Sequence, residues 1–133
     1  MGTNKLLIFC GIFIVALTIG IFLTGGVRTD VSIKKFEPSN DAKTLTIRVD
    51  TASAIRNVRK AKISKDGNDL YIKFYSAYGF NSRLGTQDTY NLDINNIDEI
   101  YFYVGKKGYK KVLELRNNEW LEPYNEITVN KQI

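Results

Sequence analysis

Hydrophobic and polar positions divide this chain into two unequal parts. Residues 6–23, LLIFCGIFIVALTIGIFL, carry no charge and almost no polar group. Beyond them, apolar residues alternate with polar ones in short runs punctuated by Gly, Asn and Asp. The first pattern predicts an unbroken apolar helix and the second a set of half-buried strands.

A helix of about 20 residues crosses the roughly 30 Å hydrocarbon core of a bilayer. The apolar run, stretched to Thr24, just meets that length. It predicts a signal anchor over residues 1–26, with a membrane-spanning core at 6–24. A cleaved signal peptide is the competing reading. Its apolar region would ordinarily be about 7–15 residues long and end in alternating small residues. Here the run is longer, and Thr24-Gly25-Gly26 is a weaker site than that pattern. Lipid motifs do not fit: Cys10 lies inside the run, and Leu6 stands where N-myristoylation needs Ser or Thr. Arg28, Lys34 and Lys35 follow the helix, which by charge count alone favours a cytoplasmic C-terminal side. A short N-terminus before a long domain usually acts as an export signal, and the expectation is that the domain lies outside.

Residues 27–43 show no sustained periodicity and predict a juxtamembrane stalk, with Val31, Ile33 and Phe36 as a candidate first short strand. From Thr44 onward the period becomes two. Leu45, Ile47 and Val49 alternate with Thr44, Thr46, Arg48 and Asp50. A helical turn is expected at Asp50–Arg56, capped by Asp50 or Thr51. Strands are expected at Val58–Ser64 and Asp69–Ala77, joined by an Asp66-Gly67 turn. Tyr78–Gly85 reads as a loop. Further strands are expected at Thr86–Ile94, Asp98–Val104, Tyr109–Leu115 and Glu126–Val129. The fold class is all-β: an antiparallel sandwich or open barrel of about 6–8 strands over residues 44–133, behind one transmembrane helix.

Composition adds the compartment. The 44% apolar and 25% charged content is that of a folded protein. Cys10 is the single cysteine, so no intramolecular disulfide forms. Abundant Lys, Ile and Asn fit an AT-rich bacterial genome.

Two surface sites are candidates. In the stretch LYIKFYSAYGF, Leu70, Ile72 and Phe74 share one strand face, and Tyr71, Lys73 and Tyr75 share the other. Ile100, Phe102 and Val104 likewise separate from Tyr101 and Tyr103. The plainer reading pairs Tyr71, Tyr75, Tyr101 and Tyr103 across strands beneath the C-terminal segment. The sharper one makes them, with Lys73, an exposed platform for sugar or extended peptide. The second candidate is the basic patch Arg56, Arg59, Lys60, Lys62 and Lys65, suited to anionic lipid or a cell-wall polymer. Its alternative is a hairpin edge guarded by lysine.

Enzyme chemistry finds little material. The chain has no His, which excludes Ser-His-Asp and Cys-His machinery. No phosphate-binding or dinucleotide fingerprint is present. DINNIDE, Asp93–Glu99, lacks the Gly and Glu positions of a calcium loop, and no metal or cofactor is expected. The net charge of +5 comes without a nucleic-acid motif. The expectation is a non-enzymatic binding, accessory or sensory module at a bacterial cell surface. The alternatives are a secreted binding or inhibitor protein cleaved near Gly26, and a structural subunit of a larger membrane complex.

Overall fold

A computed structural model of the chain describes residues 3–22, 24–52, 58–77 and 86–132, with side chains described throughout these except at 18–22, 24, 25 and 77. The loop expected at Tyr78–Gly85 and most of the helical turn expected before Arg56 lie outside the described residues. Asp50 and Thr51 themselves belong to a strand.

Helix α1 spans Thr3–Phe22, 20 residues, or about 30 Å. Its apolar positions are spread around the helix rather than gathered in one stripe. From Leu6 to Val15 the large ones are 58–69% exposed. Side chains of α1 are described as far as Leu17, and over the described residues no helix is long and apolar enough to cross a membrane.

The described remainder is mostly β. Its strands are β1 (Thr24–Arg28), β2 (Val31–Pro38), β3 (Thr44–Thr51), β4 (Val58–Asp66), β5 (Asp69–Ala77), β6 (Thr89–Asp93), β7 (Glu99–Tyr103), β8 (Tyr109–Arg116), β9 (Glu119–Leu121) and β10 (Thr128–Val129). Residues 27–43, read from sequence as a stalk, thus hold the end of β1, all of β2 and a turn. That turn is closed locally: Ser39 N–H donates to the Thr44 carbonyl at 2.8 Å, and Asp41 accepts from the Ser39 hydroxyl at 2.6 Å. The strand expected from Thr86 begins at Thr89.

Two sheets form. One has seven strands, the other three in the order β2-β3-β6. Central in the large sheet is β5, with β4 along one side. Its other side is shared, β7 beside Asp69–Ile72 and β1 beside Phe74–Ala77. The β5–β7 pair is parallel, a departure from the all-antiparallel expectation. It arises because the chain crosses to the small sheet as β6 before returning as β7. β8 is shared in the same way by β10 and β9.

Turn chemistry fixes the hairpins. Gly67 at φ +61° supplies the positive φ a two-residue β4–β5 loop needs. Asn117 and Asn118, at φ 52° and 62°, do so between β8 and β9. The core lies between the sheets, where Leu45, Ile47 and Leu92 meet Ile72, Phe74, Ile100, Phe102 and Leu113. The sequence periodicity placed most of these inward. Phe74 and Phe102 pack edge to face at 4.7 Å.

The sandwich has two distinct ends. The end where the chain leaves α1, the proximal end, gathers the start of β1, the end of β5 and the start of β4. Gln87 N–H bonded to the Val58 carbonyl and Val49 N–H bonded to that of Asp88 add the end of β3. At the distal end, Asp98 N–H donates to the Asn68 carbonyl at 2.7 Å and Ile94 N–H to that of Lys43 at 3.0 Å.

Candidate functional site

The tyrosine face and two lysines of the basic patch, Lys60 and Lys62, fall on one surface, the outer face of the seven-stranded sheet. Directly paired residues share a face. Lys60 is opposite Tyr75, Lys62 opposite Lys73 and Ser64 opposite Tyr71. Tyr71 is level with Tyr101 across β5 and β7, and Tyr103 is opposite Tyr109 across β7 and β8. Of the remaining basic residues, Lys65 donates to the Asn95 carbonyl at 3.4 Å. Arg59 is half-buried on β4, and Arg56 lies outside the described residues.

The face has a closed part and an open part. In the closed part, Tyr71, Tyr101 and Tyr109 are buried at 3–5% exposure. Tyr71 and Tyr101 stack with centroids 4.9 Å apart and planes 14° apart, while Tyr109 meets Tyr71 edge-on at 5.2 Å. The C-terminal segment lies over them. Val129 packs on the cluster, and Lys131 Nζ stands 4.8 Å from the Tyr71 ring while pairing with Asp66. Gly108 makes the crossing possible: at φ +93°, a Cβ there would sit 2.1 Å from the Val129 carbonyl oxygen.

Beside the rings lies an ionic cluster that the sequence reading missed. Lys111 is buried; its Nζ donates to Glu99 Oε1 at 2.9 Å and lies 3.7 Å from Glu114. The Tyr101 hydroxyl donates to Glu99 Oε2. Burial alone would raise the Glu99 pKa, but the bonds from Tyr101 and Lys111 outweigh it and hold the carboxyl below its ordinary range. Asp69, level with Glu99 on β5, moves the other way, raised by burial first and then by the Glu99 charge. Burial, and then the Glu99 bond, push the Tyr101 hydroxyl well above the usual tyrosine range.

One signal for this cluster was visible: Glu99 precedes Tyr101 and Tyr103 at a spacing of two. Tyr109 and Lys111 were hidden by the register shift between Ile100 and Tyr101. There an extra β8 residue, Val112, turns to the core beside Leu113.

The open part consists of exposed Lys60 and Lys62 with half-buried Lys73, Tyr75 and Tyr103. Lys73 Nζ lies 4.5 Å from the centre of the Tyr103 ring, a cation–π contact. Thus Tyr71 and Tyr101 form the floor of the candidate binding face, and Lys73, Tyr75 and Tyr103 its accessible strip. At the distal end, a separate groove of about 530 Å³ is walled by Phe36, Ile94, Ile97, Leu115 and Trp120. DINNIDE forms a turn in which Asp93 Oδ1 accepts from Asn95 N–H at 3.0 Å.

Compared with protein-family models, with curated proteins and with solved structures, the chain has no significant match in any of the three.

Proposed function

We propose that this chain is a single-pass membrane protein whose β domain works by binding, without catalysis, outside the cytoplasm. The observation that carries the proposal is the contrast between α1 and the sandwich. α1 is a 20-residue helix whose apolar residues are spread around its circumference, and its large side chains from Leu6 to Leu17 stand exposed. A helix of that kind belongs in a protein core or in lipid. The sandwich already fills its own core with residues of its two sheets, which leaves lipid as the environment for α1.

The binding surface is the strip Lys62, Lys73, Tyr75 and Tyr103, and its ligand an anionic cell-surface polymer. Lys62 and Lys73 are direct cross-strand neighbours. Like charges so placed repel, and a bound anion relieves that repulsion. The flanking tyrosine rings offer flat apolar surface to a sugar ring or an extended chain.

Two measurements test the proposal. After alkaline carbonate washing, full-length protein stays with the membrane, and external protease removes the β domain from intact cells. Release by carbonate would contradict the anchor. Lys62→Glu with Lys73→Glu weakens retention on purified anionic wall polymer without lowering thermal stability; unchanged retention would reject the strip.

A further inference from the structure

Charged side chains of the sandwich are sorted by end. We infer from this that its proximal end rests against the anionic headgroups of the membrane that α1 enters, an inference that depends on the membrane reading of α1. Exposed Lys34 on β2, and Lys106 and Lys107 in the β7–β8 turn, lie toward this end. β7 runs parallel to β5, so its turn points the way β5 does, toward Ala77. The turn abuts the chain just past β1, where a Cβ on Gly105 would lie 3.5 Å from Thr29 Cγ2. Arg28 is level with Phe74 and Thr24 with Ala77. That separation of three residues along β5 is about 10 Å at 3.3 Å each, comparable to the Debye length of about 10 Å at 0.1 M salt. The cations are therefore within electrostatic reach of the surface at which α1 emerges.

Acids at the proximal end are largely engaged. Asp30 pairs with Arg28 at 2.6 Å, Asp88 with Arg48 at 3.4 Å and Glu126 with Lys110 at 3.3 Å. Asp50 is exposed, and its bond from the Thr51 N–H leaves its charge in place, but Lys34, Lys106 and Lys107 outnumber it. The distal end is the reverse. Asp41, Asp93, Asp98 and Glu119 are exposed there without a cation partner among the described residues, while Lys111, Arg116 and Lys131 are held by Glu99, Glu114 and Asp66. Exposed Lys43 and Lys65 only dilute the distal negative charge. An anionic bilayer therefore attracts the proximal end and repels the distal one, which orients the domain upright and leaves the outer face clear.

The test uses the full-length chain in vesicles of phosphatidylcholine, with or without added phosphatidylglycerol. Lysine acylation is read residue by residue by mass spectrometry. With anionic lipid, Lys34, Lys106 and Lys107 react several-fold more slowly, and Lys43 and Lys62 react unchanged. The protection disappears at 1 M salt, where the Debye length is about 3 Å. Lys106→Glu with Lys107→Glu removes the protection of Lys34 as well. Equal reactivity in the two lipids, with the chain carbonate-resistant in both, would overturn the seating while leaving the anchor intact. Release by carbonate would overturn the anchor and the seating together. Equal protection by a soluble polyanion in neutral vesicles would assign the cations to a polymer and overturn the lipid assignment.

Discussion

The two faces of the seven-stranded sheet are made by the same strands yet are closed by different means. On the inner face, Leu70, Ile72, Phe74, Ile100 and Phe102 are covered by a second sheet and held by apolar packing. On the outer face, the alternate residues Tyr71, Tyr101 and Tyr109 are just as buried. Their cover is their own stacking, a short C-terminal segment and the ionic cluster at Glu99. Burial alone thus does not identify the core. The inner face depends on volume, and the outer face on hydrogen bonds and charge, which respond to pH and salt.

The largest expected effect is on the inner face. Phe102→Ala removes a fully buried ring that contacts Phe74, and denaturant unfolding should show a loss of about 3–5 kcal/mol. A loss below about 1 kcal/mol would mean that the inner face is not the core.

On the outer face, Lys111→Met leaves Glu99 without its cation and Glu114 with Arg116 alone. Breaking a fully buried pair costs about 3–5 kcal/mol. The two carboxylates retain 32% and 20% side-chain exposure, so solvent screening reduces the expected loss to about 1–3 kcal/mol. Adding Glu99→Gln to Lys111→Met should recover part of that loss. Further loss in the double variant would show that the cluster is not held by charge. Tyr101→Phe deletes one hydroxyl bonded to Glu99 and should cost about 1 kcal/mol in the same assay.

The pH response should report on the buried tyrosines, those of the closed cluster and Tyr90 of the inner core alike. Burial raises the hydroxyl pKa of Tyr71, Tyr101 and Tyr109 above 10.0, and that of Tyr90 to about 12. The folded state then holds these protons where the unfolded chain has released them. Stability should be intact below about pH 10 and fall progressively as pH rises from there toward the folded values. Glu99 has the opposite sign, since its folded pKa is depressed. Its contribution is present above the ordinary glutamate pKa and is lost as pH falls through the folded value. Absorbance titration of tyrosinate would check the first claim: a single transition at the free-tyrosine value would remove the closed cluster. The smallest effect belongs to the segment above the rings. Lys131→Ala loses a partly exposed pair with Asp66 and should change stability by no more than about 1 kcal/mol.

Much of the inner face was legible in the sequence, because a period of two places Leu45, Ile47, Ile72, Phe74, Ile100 and Phe102 unambiguously. The Asp66-Gly67 turn was equally plain, since its loop needs a residue that tolerates positive φ. β1 was not legible: Gly25-Gly26 breaks any alternation between Thr24 and Val27, and the segment pairs along the part of β5 that β7 leaves free. The parallel placement of β7 follows from a crossover that no local pattern encodes. For the outer face, the tyrosine alternation was readable, but its union with Lys60 and Lys62 depends on the β4–β5 register. Lys111 reads locally as one more surface lysine, and only the β7–β8 bulge sets it opposite Tyr101, within reach of Glu99.

The claim on which the functional account depends is that α1 remains attached and holds the sandwich at a membrane. Intact-mass measurement of the native protein, from the membrane fraction and the medium, tests it most directly. The account predicts a full-length mass confined to the membrane fraction. A mass beginning near Val27, recovered from the medium, would contradict it and make the sandwich a released, soluble binder.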